Sequence, residues 1–189
     1  MLENTRKNLL WILKEGRKAV SKEDTVRLSD LSNHTIHDTS ILQDPNSTQV
    51  AILMYSLFKI FERKTKYSEY KDWPIFYKIL EKNLTDAVFF LSKKNFRDYE
   101  VAIRNILQSV DKLESHLKEY IKDVIERAKI NKGSRVYEHG ISIGRTAELL
   151  GINAWELMEY VGKTGISDVK YSITKNIEER LKFARSLFK

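Results

Sequence analysis

The sequence predicts an all-α protein, on three observations. Only one glycine precedes residue 133 and the whole chain of 189 residues contains two prolines, so helix-breaking residues are scarce. Lys, Glu, Ile and Leu, which are compatible with helices, are abundant in the same part of the chain. One long stretch repeats apolar residues every three and four positions, as the face of a helix does. We therefore expect a helical bundle domain over residues 1–132 and a second module over residues 133–189.

The first two helices are predicted from an apolar stripe and a capping pattern. A helix is expected from about Glu3 to Val20, with an apolar stripe supplied by Leu9, Leu10, Trp11, Ile12 and Leu13. Ser21 is followed by an acid at Asp24, the spacing of an N-cap residue and its reciprocal partner. A second, short helix is therefore expected to start at Ser21.

The next two helices are predicted from prolines. Asp44 precedes Pro45, and a helix often begins with a capping aspartate and a proline whose missing N–H needs no partner. The residues that follow, 50–61, are apolar almost all round, which places this helix at the centre of the bundle. A further helical region is expected over about 74–91.

One helix of about residues 95–131 is predicted from the strongest periodic pattern in the chain. Asn95, with Asp98 three residues later, is expected to cap it. The apolar residues then alternate spacings of three and four: Phe96, Tyr99, Ile103, Ile106, Val110, Leu113, Leu117, Tyr120 and Val124. Such a repeat suits either a dimerising coiled coil or a long helix packed within its own bundle. Leu107 and Ile121 widen the stripe beyond the repeat, which favours packing within the bundle.

The glycine-rich part has the pattern of a helix-turn-helix. Gly133 is expected to end the preceding helix. Ala147 is small where two helices must approach closely, and Gly151 can take the left-handed conformation of the turn. Leu157 then supplies an apolar contact between the two helices, and Asn153 can cap the second one. A short strand or wing over 166–173 and a final helix are expected to follow.

This part of the chain also resembles a family. The resemblance lies in the segments RVYEHGISIGRTAELLGINAWELMEYV (135–161), KTGISDVKY (163–171) and IEERL (177–181). They are similar to the small prokaryotic antitoxin-like family of uncharacterised helix-turn-helix proteins, over about residues 134–185. The resemblance implies a DNA-binding antitoxin or small regulator, often dimeric. Residues 1–132 resemble no family of known activity.

The second helix of the motif is the predicted recognition helix. A recognition helix presents its first outward residues to base edges in the major groove, and here these are Asn153, Ala154, Trp155 and Met158. Asparagine can pair with adenine, and apolar groups can contact the methyl group of thymine. Capping is the alternative role of Asn153, and packing against a neighbouring helix or a partner is the alternative role of Trp155.

Phosphate contacts are expected from basic and hydroxyl residues around the motif. The basic candidates are Arg135, Arg145, Lys163 and Lys170, with Lys175, Arg180, Lys182 and Arg185 farther on. Ser142 and Thr146, near the start of the first motif helix, can donate to phosphate, and their alternative role is to cap that helix.

Charge provides the argument for a different function. The chain has a net charge of +7, but residues 134–167 carry 3 basic and 4 acidic residues, a net charge of −1. Glu156 and Glu159 would oppose phosphate from the recognition helix itself. The alternative is therefore a protein-interaction or scaffold protein whose helix-turn-helix is a docking surface, with Trp155 exposed upon it.

One cluster has the residue types of a metal site. His34 and His37 can share a helix face, and Asp38 could complete a site. Ser, Thr and Asn crowd this stretch, so the alternative is a turn with surface histidines. The sequence has no phosphate-binding glycine loop or other recognised catalytic motif, and we expect neither an enzyme nor a cofactor.

Composition limits the class of protein. An apolar fraction of 42% and a charged fraction of 31% exclude a disordered tail, and the sequence has no uncharged stretch long enough to span a bilayer. The absence of cysteine favours a cytoplasmic protein, and abundant Lys, Glu and Ile would suit a thermophile. The sequence thus predicts a DNA-binding regulator, without a membrane segment, that acts as a homodimer on double-stranded DNA.

Overall fold

The computed structural model describes residues 1–42, 45–109 and 116–164, and over residues 36–42 it describes the backbone alone. These parts of the chain form nine helices and no strand, which confirms the predicted all-α class. The helices are α1 (Glu3–Lys22), α2 (Thr25–Leu42), α3 (Pro45–Glu62), α4 (Lys64–Tyr67), α5 (Trp73–Ser92), α6 (Phe96–Leu107), α7 (His116–Glu138), α8 (Ile143–Leu150) and α9 (Ala154–Lys163). No helix in the described ranges combines the length and the apolarity needed to cross a bilayer.

The boundary between α1 and α2 lies later than predicted. α1 continues through Ser21, whose hydroxyl donates to the Lys18 carbonyl (2.9 Å) and does not cap a new helix. Asp24 is the cap of α2, because its carboxylate accepts the backbone N–H of Arg27 (2.9 Å). α2 has 18 residues, so the prediction of a short helix is wrong.

The polar stretch of α2 forms helix because its small hydroxyls find partners inside the bundle. The hydroxyl of Ser32 donates to the Ala51 carbonyl on α3 (3.0 Å), and that of Thr35 donates to the Leu31 carbonyl one turn earlier (2.7 Å). Both residues are fully buried. The turn expected around His34 is therefore wrong, since tertiary hydrogen bonds satisfy the groups that would otherwise favour one.

α3 is the central helix, as predicted. It begins at Pro45, and its buried residues lie on all sides of the helix. It packs against α1, α2, α4, α6, α7 and α8. A helix that is apolar almost all round needs neighbours on every face, so its position follows from its sequence.

The single helix predicted over about 95–131 is wrong, although its apolar pattern identified core positions. Asn95 caps α6 as expected, accepting the Asp98 N–H at 3.3 Å. α6 ends at Leu107, and the hydroxyl of buried Ser109 donates to the Ile106 carbonyl (2.6 Å) at this end. The next helix that the structure describes is α7, from His116. Members of the repeat on both sides of this break belong to one core cluster: Tyr99, Ile103, Ile106, Leu117 and Val124. These five members of the repeat pack within the chain, whereas Tyr120 is 38% exposed and Val110 and Leu113 lie outside the described residues. Dimerisation along part of the repeat stays a prediction.

The predicted end of a helix at Gly133 is also wrong. α7 continues through this residue to Glu138, so the boundary predicted between two domains lies inside a helix. A methyl group built on Gly133 would lie 2.9 Å from Leu150 Cδ1 and 3.1 Å from Leu157 Cδ1. Glycine is present here because α8 and α9 approach α7 closely. The division into two domains stays a prediction.

Candidate nucleic-acid interface

α8 and α9 form the predicted helix-turn-helix. Ser142 caps α8 by accepting the backbone N–H of Arg145 (3.3 Å). The helix ends at Gly151, whose φ of +61° is the left-handed conformation expected of it. The N–H of Ile152 then donates to the Ala147 carbonyl (3.1 Å), which closes the turn. Ala147 itself is buried, as its small size predicted.

The motif rests on the second half of α7. Leu157 and Val161 of α9 are buried, as the apolar spacing predicted. Leu150 of α8 joins a cluster with Ile52 of α3 and Ala128 of α7. The motif is therefore held by the central helix of the bundle as well as by α7.

The predicted base-reading residues lie together at the start of α9. Trp155 is 75% exposed and Met158 is 46% exposed, while Ala154 is half-buried. Asn153 is exposed and caps α9, with its side-chain oxygen accepting the Trp155 N–H (2.9 Å). The capping role of Asn153 is confirmed, and the helix presents an apolar, protruding surface next to it.

Three of the predicted phosphate-binding cations lie on exposed parts of α7, α8 and α9. Each of them pairs with an acid one turn away on its own helix: Arg135 with Glu138 (2.8 Å), Arg145 with Glu148 (2.7 Å) and Lys163 with Glu159 (2.5 Å). The ammonium group of Lys163 lowers the pKa of Glu159. Exposed pairs of this kind contribute only about 0–1 kcal/mol, so a phosphate can replace the carboxylate at little cost.

The remaining basic candidates, Lys170, Lys175, Arg180, Lys182 and Arg185, lie outside the described residues, as do the predicted strand and final helix.

Thr146 cannot contact a phosphate in this structure, which corrects its predicted role. The residue is fully buried, and its hydroxyl oxygen has no hydrogen-bond partner among the described residues. Ser142, in contrast, is exposed. A hydroxyl that accepts a capping bond can still donate its own hydrogen, so Ser142 can cap α8 and bind a phosphate at the same time.

Of the candidate metal ligands, only His34 has a described side chain. It is exposed, and its ring lies 5.5 Å from that of Trp11 in an edge-on arrangement. His37 and Asp38 lie on α2, but their side chains are outside the described ones. Among the described residues no three metal-ligating side chains converge. The metal-site hypothesis stays a prediction.

Sequence reasoning missed a buried lysine on α7, next to Gly133. Lys132 of α7 is 3% exposed, its ammonium lies 4.3 Å from the centre of the Tyr55 ring, and it donates to the Asn33 side chain (3.2 Å). Burial, followed by the nearby charge of Arg135, lowers the pKa of Lys132 to about 8. The signal that could have found it is position, because Lys132 continues the buried stripe of Ala128 at helical spacing.

Comparisons of this chain with protein-family models, with curated proteins and with solved structures gave no match.

Proposed function

We propose that this protein is a DNA-binding regulator of the helix-turn-helix type, with a role like that of the antitoxin-like proteins its sequence resembles. One observation carries the proposal: after the left-handed turn at Gly151, α9 presents Asn153, Trp155 and Met158 outward from its first two turns. A recognition helix inserts this part of its surface into the major groove. The buried face of α9 meanwhile fixes the helix on α7.

In this proposal α9 reads bases mainly through apolar contacts. Ala154, Trp155 and Met158 suit the methyl groups of thymine, and the free amide hydrogens of Asn153 suit an acceptor on a base edge or a phosphate. Glu156 and Glu159 make the helix unusually acidic for this position. The phosphate contacts must therefore come from outside the groove-facing surface.

Arg135, Arg145 and Lys163 are the described residues assigned to phosphates. On binding DNA, these side chains exchange the carboxylate on their own helix for a phosphate oxygen. Each such contact releases counterions from the DNA, so binding weakens as the salt concentration is raised. Two copies related by a two-fold axis would place two α9 helices about 34 Å apart on successive major grooves. We therefore include a homodimer in the proposal.

The test is duplex-DNA binding by the full chain, measured by fluorescence anisotropy over a series of salt concentrations. A pool of random-sequence duplexes, enriched through rounds of selection, supplies the target. We expect affinity to fall steeply with salt, and Arg145→Ala to weaken binding and reduce the salt slope by about one. Arg97→Ala, which removes an exposed cation on α6, is the matched control and should change neither quantity. Micromolar or weaker binding without a salt slope, unaltered by Arg145→Ala, would refute the proposal.

A second candidate function, a docking surface for another protein, is favoured by the exposure of Trp155. A tryptophan that is 75% exposed, beside a methionine that is 46% exposed, resembles the anchor of a protein interface. The adjacent Glu156 and Glu159 would suit a partner with a basic rim. Sedimentation equilibrium can test self-association through this surface: a dimer that Trp155→Ala dissociates, in a chain that does not bind DNA, would favour docking.

A further inference from the structure

A groove lies between the bundle and the candidate recognition helix. It has a volume of about 560 Å³ and is bounded by α3, α7 and α9. Its lining residues are Tyr55, Lys59, Arg63, Tyr120, Asp123, Val124, Arg127, Ile130, Asn131 and Tyr160. This volume falls within the range of about 300–1,000 Å³ that is typical of small-molecule sites.

Three tyrosines from three different helices line this groove. Tyr55 comes from α3, Tyr120 from α7 and Tyr160 from α9. The Tyr160 hydroxyl accepts a hydrogen bond from the Asn131 side chain (3.3 Å), which ties α9 to α7 at the groove. Tyr120 is stacked against Tyr67 at 6.0 Å and is still 38% exposed. The Tyr55 and Tyr120 rings each also lie near an ammonium group, that of Lys132 (4.3 Å) and that of Lys66 (4.8 Å) respectively. The three side chains combine ring edges and faces with polar tips, which suit a planar ring.

The charge of the lining is positive. Lys59, Arg63 and Arg127 face a single acid in the lining, Asp123. Arg127 pairs with Asp123 (2.9 Å), and Lys59 pairs with Glu62 (2.9 Å). Arg63 is exposed and makes no ion pair within the described part of the chain. A guanidinium in this state is ready to form two parallel hydrogen bonds to a carboxylate or phosphate.

We propose that this groove binds a small aromatic anion, with its ring among Tyr55, Tyr120 and Tyr160 and its charged group on Arg63. The pairing of aromatic walls with an excess of cations favours an aromatic ligand that carries a negative charge over a purely apolar one. Asp123 disfavours a ligand of high negative charge. A mononucleotide and an aromatic carboxylic acid share the required chemistry.

Ligand binding would bridge the bundle and the helix-turn-helix. Two walls of the groove belong to α3 and α7, and Tyr160 is its contribution from α9. A ring in contact with all three restrains α9 against α7, and it lowers the rate at which α9 opens locally. The inference goes beyond the proposed function, because a ligand site in this groove does not require that the chain binds DNA.

Isothermal titration calorimetry on the full chain tests the site with adenosine 5′-monophosphate and salicylate as probes. Adenosine supplies the ring without the charge, and inorganic phosphate supplies the charge without the ring. We expect a saturable, submillimolar affinity for at least one of the two aromatic anions, and binding at least tenfold weaker for adenosine and phosphate. The probe that binds more tightly shows whether the charged group of the ligand is a phosphate or a carboxylate.

Two variants locate the binding. Arg63→Ala removes an exposed cation, so the variant should fold normally and bind the probe at least roughly tenfold more weakly, since one charge-assisted hydrogen bond already accounts for about that factor. Arg97→Ala is the matched control and should leave the affinity unchanged. Hydrogen exchange should show slower exchange of α9 amides when the probe is bound.

The proposal is overturned if neither aromatic anion binds, if Arg63→Ala and Arg97→Ala bind the probe equally, or if α9 exchanges at the same rate with and without the probe. None of these measurements uses DNA, so they stand or fall separately from the proposed function.

Discussion

The close contact at Gly133 predicts that a side chain there will separate the helix-turn-helix from α7. Valine is the chosen replacement because its Cβ would lie 2.9 Å from Leu150 Cδ1 and 3.4 Å from Ile152 Cδ1 before its two methyl groups are added. Contacts below 3.0 Å require the neighbours to move, and Leu150 is itself buried. The atoms in contact are the ends of leucine side chains, and because Leu150 and Leu157 are buried these ends have little room to turn aside. We therefore expect α8 and α9 to shift away from α7.

The expected cost follows from the density of this contact. Inserting methyl groups into a well-packed core costs about 1–3 kcal/mol. Valine and glycine both have a low intrinsic preference for helices, so helix propensity offsets only a few tenths of this amount. A loss of about 2 kcal/mol lowers the Tm of a chain of this size by roughly 4–8 °C.

The assay is thermal and urea unfolding of Gly133→Val followed by circular dichroism, with hydrogen exchange to locate the effect in α8 and α9. Gly162→Val is the matched control, because a Cβ on Gly162 in α9 would meet no atom of the described residues within 4 Å outside its own helix backbone and chain neighbours. We expect the control to keep the stability of the wild type within about 0.5 kcal/mol. If Gly133→Val is as stable as the control and α8 and α9 keep their protection, the close-contact explanation of this glycine is wrong.

Three further predictions concern single residues near the motif. Because burial lowers the pKa of Lys132 to about 8 from an ordinary value of 10.5, the unfolded chain holds this proton more tightly. The free energy of unfolding of the wild type should therefore rise, relative to that of Lys132→Met, by up to ~3 kcal/mol between about pH 8 and 10.5. Urea unfolding at several pH values measures this change. A difference between the two proteins that does not vary with pH would contradict the prediction. Thr146→Val removes a buried hydroxyl that has no partner in the described part of the chain, and it should stabilise the fold by about 1 kcal/mol. Ser142→Ala removes a cap and should destabilise the fold by a similar amount. Both changes are read from urea midpoints, and midpoints that shift equally and in the same direction would refute the assignment. Trp155→Ala should leave Tm unchanged because the side chain is 75% exposed, and a large drop would mean that it is part of the core.

Features that depend on a few neighbouring residues were predicted from the sequence. Asn95 and Asn153 cap their helices, Pro45 starts α3, and Gly151 forms the turn of the motif, because each role is decided by hydrogen bonds or backbone angles within about four positions. The candidate interface was predictable for the same reason, since helical spacing alone places Trp155 on the outer face of α9.

The break between α6 and α7 was not predictable from the apolar repeat. A spacing of three and four residues identifies which side chains are buried, and it reads the same whether one helix or two bring them to the core. The hydroxyl of Ser109 caps the end of α6, but serine is common within helices as well as at their ends, so its presence does not predict a helix end.

By itself, the sequence determined an all-α chain with a central apolar helix and a helix-turn-helix whose cap, turn and outward face are local properties. The tertiary structure decided what depends on residues far apart in the chain. Lys132 is buried against Asn33, 99 positions away, and Gly133 is needed only because Leu150 and Leu157 fold back onto α7. The groove is the clearest case, because Arg63, Tyr120 and Tyr160 become neighbours only when three helices pack together. Proximity of this kind arises from the packing of whole helices, and no local pattern of residues encodes which distant residues will meet.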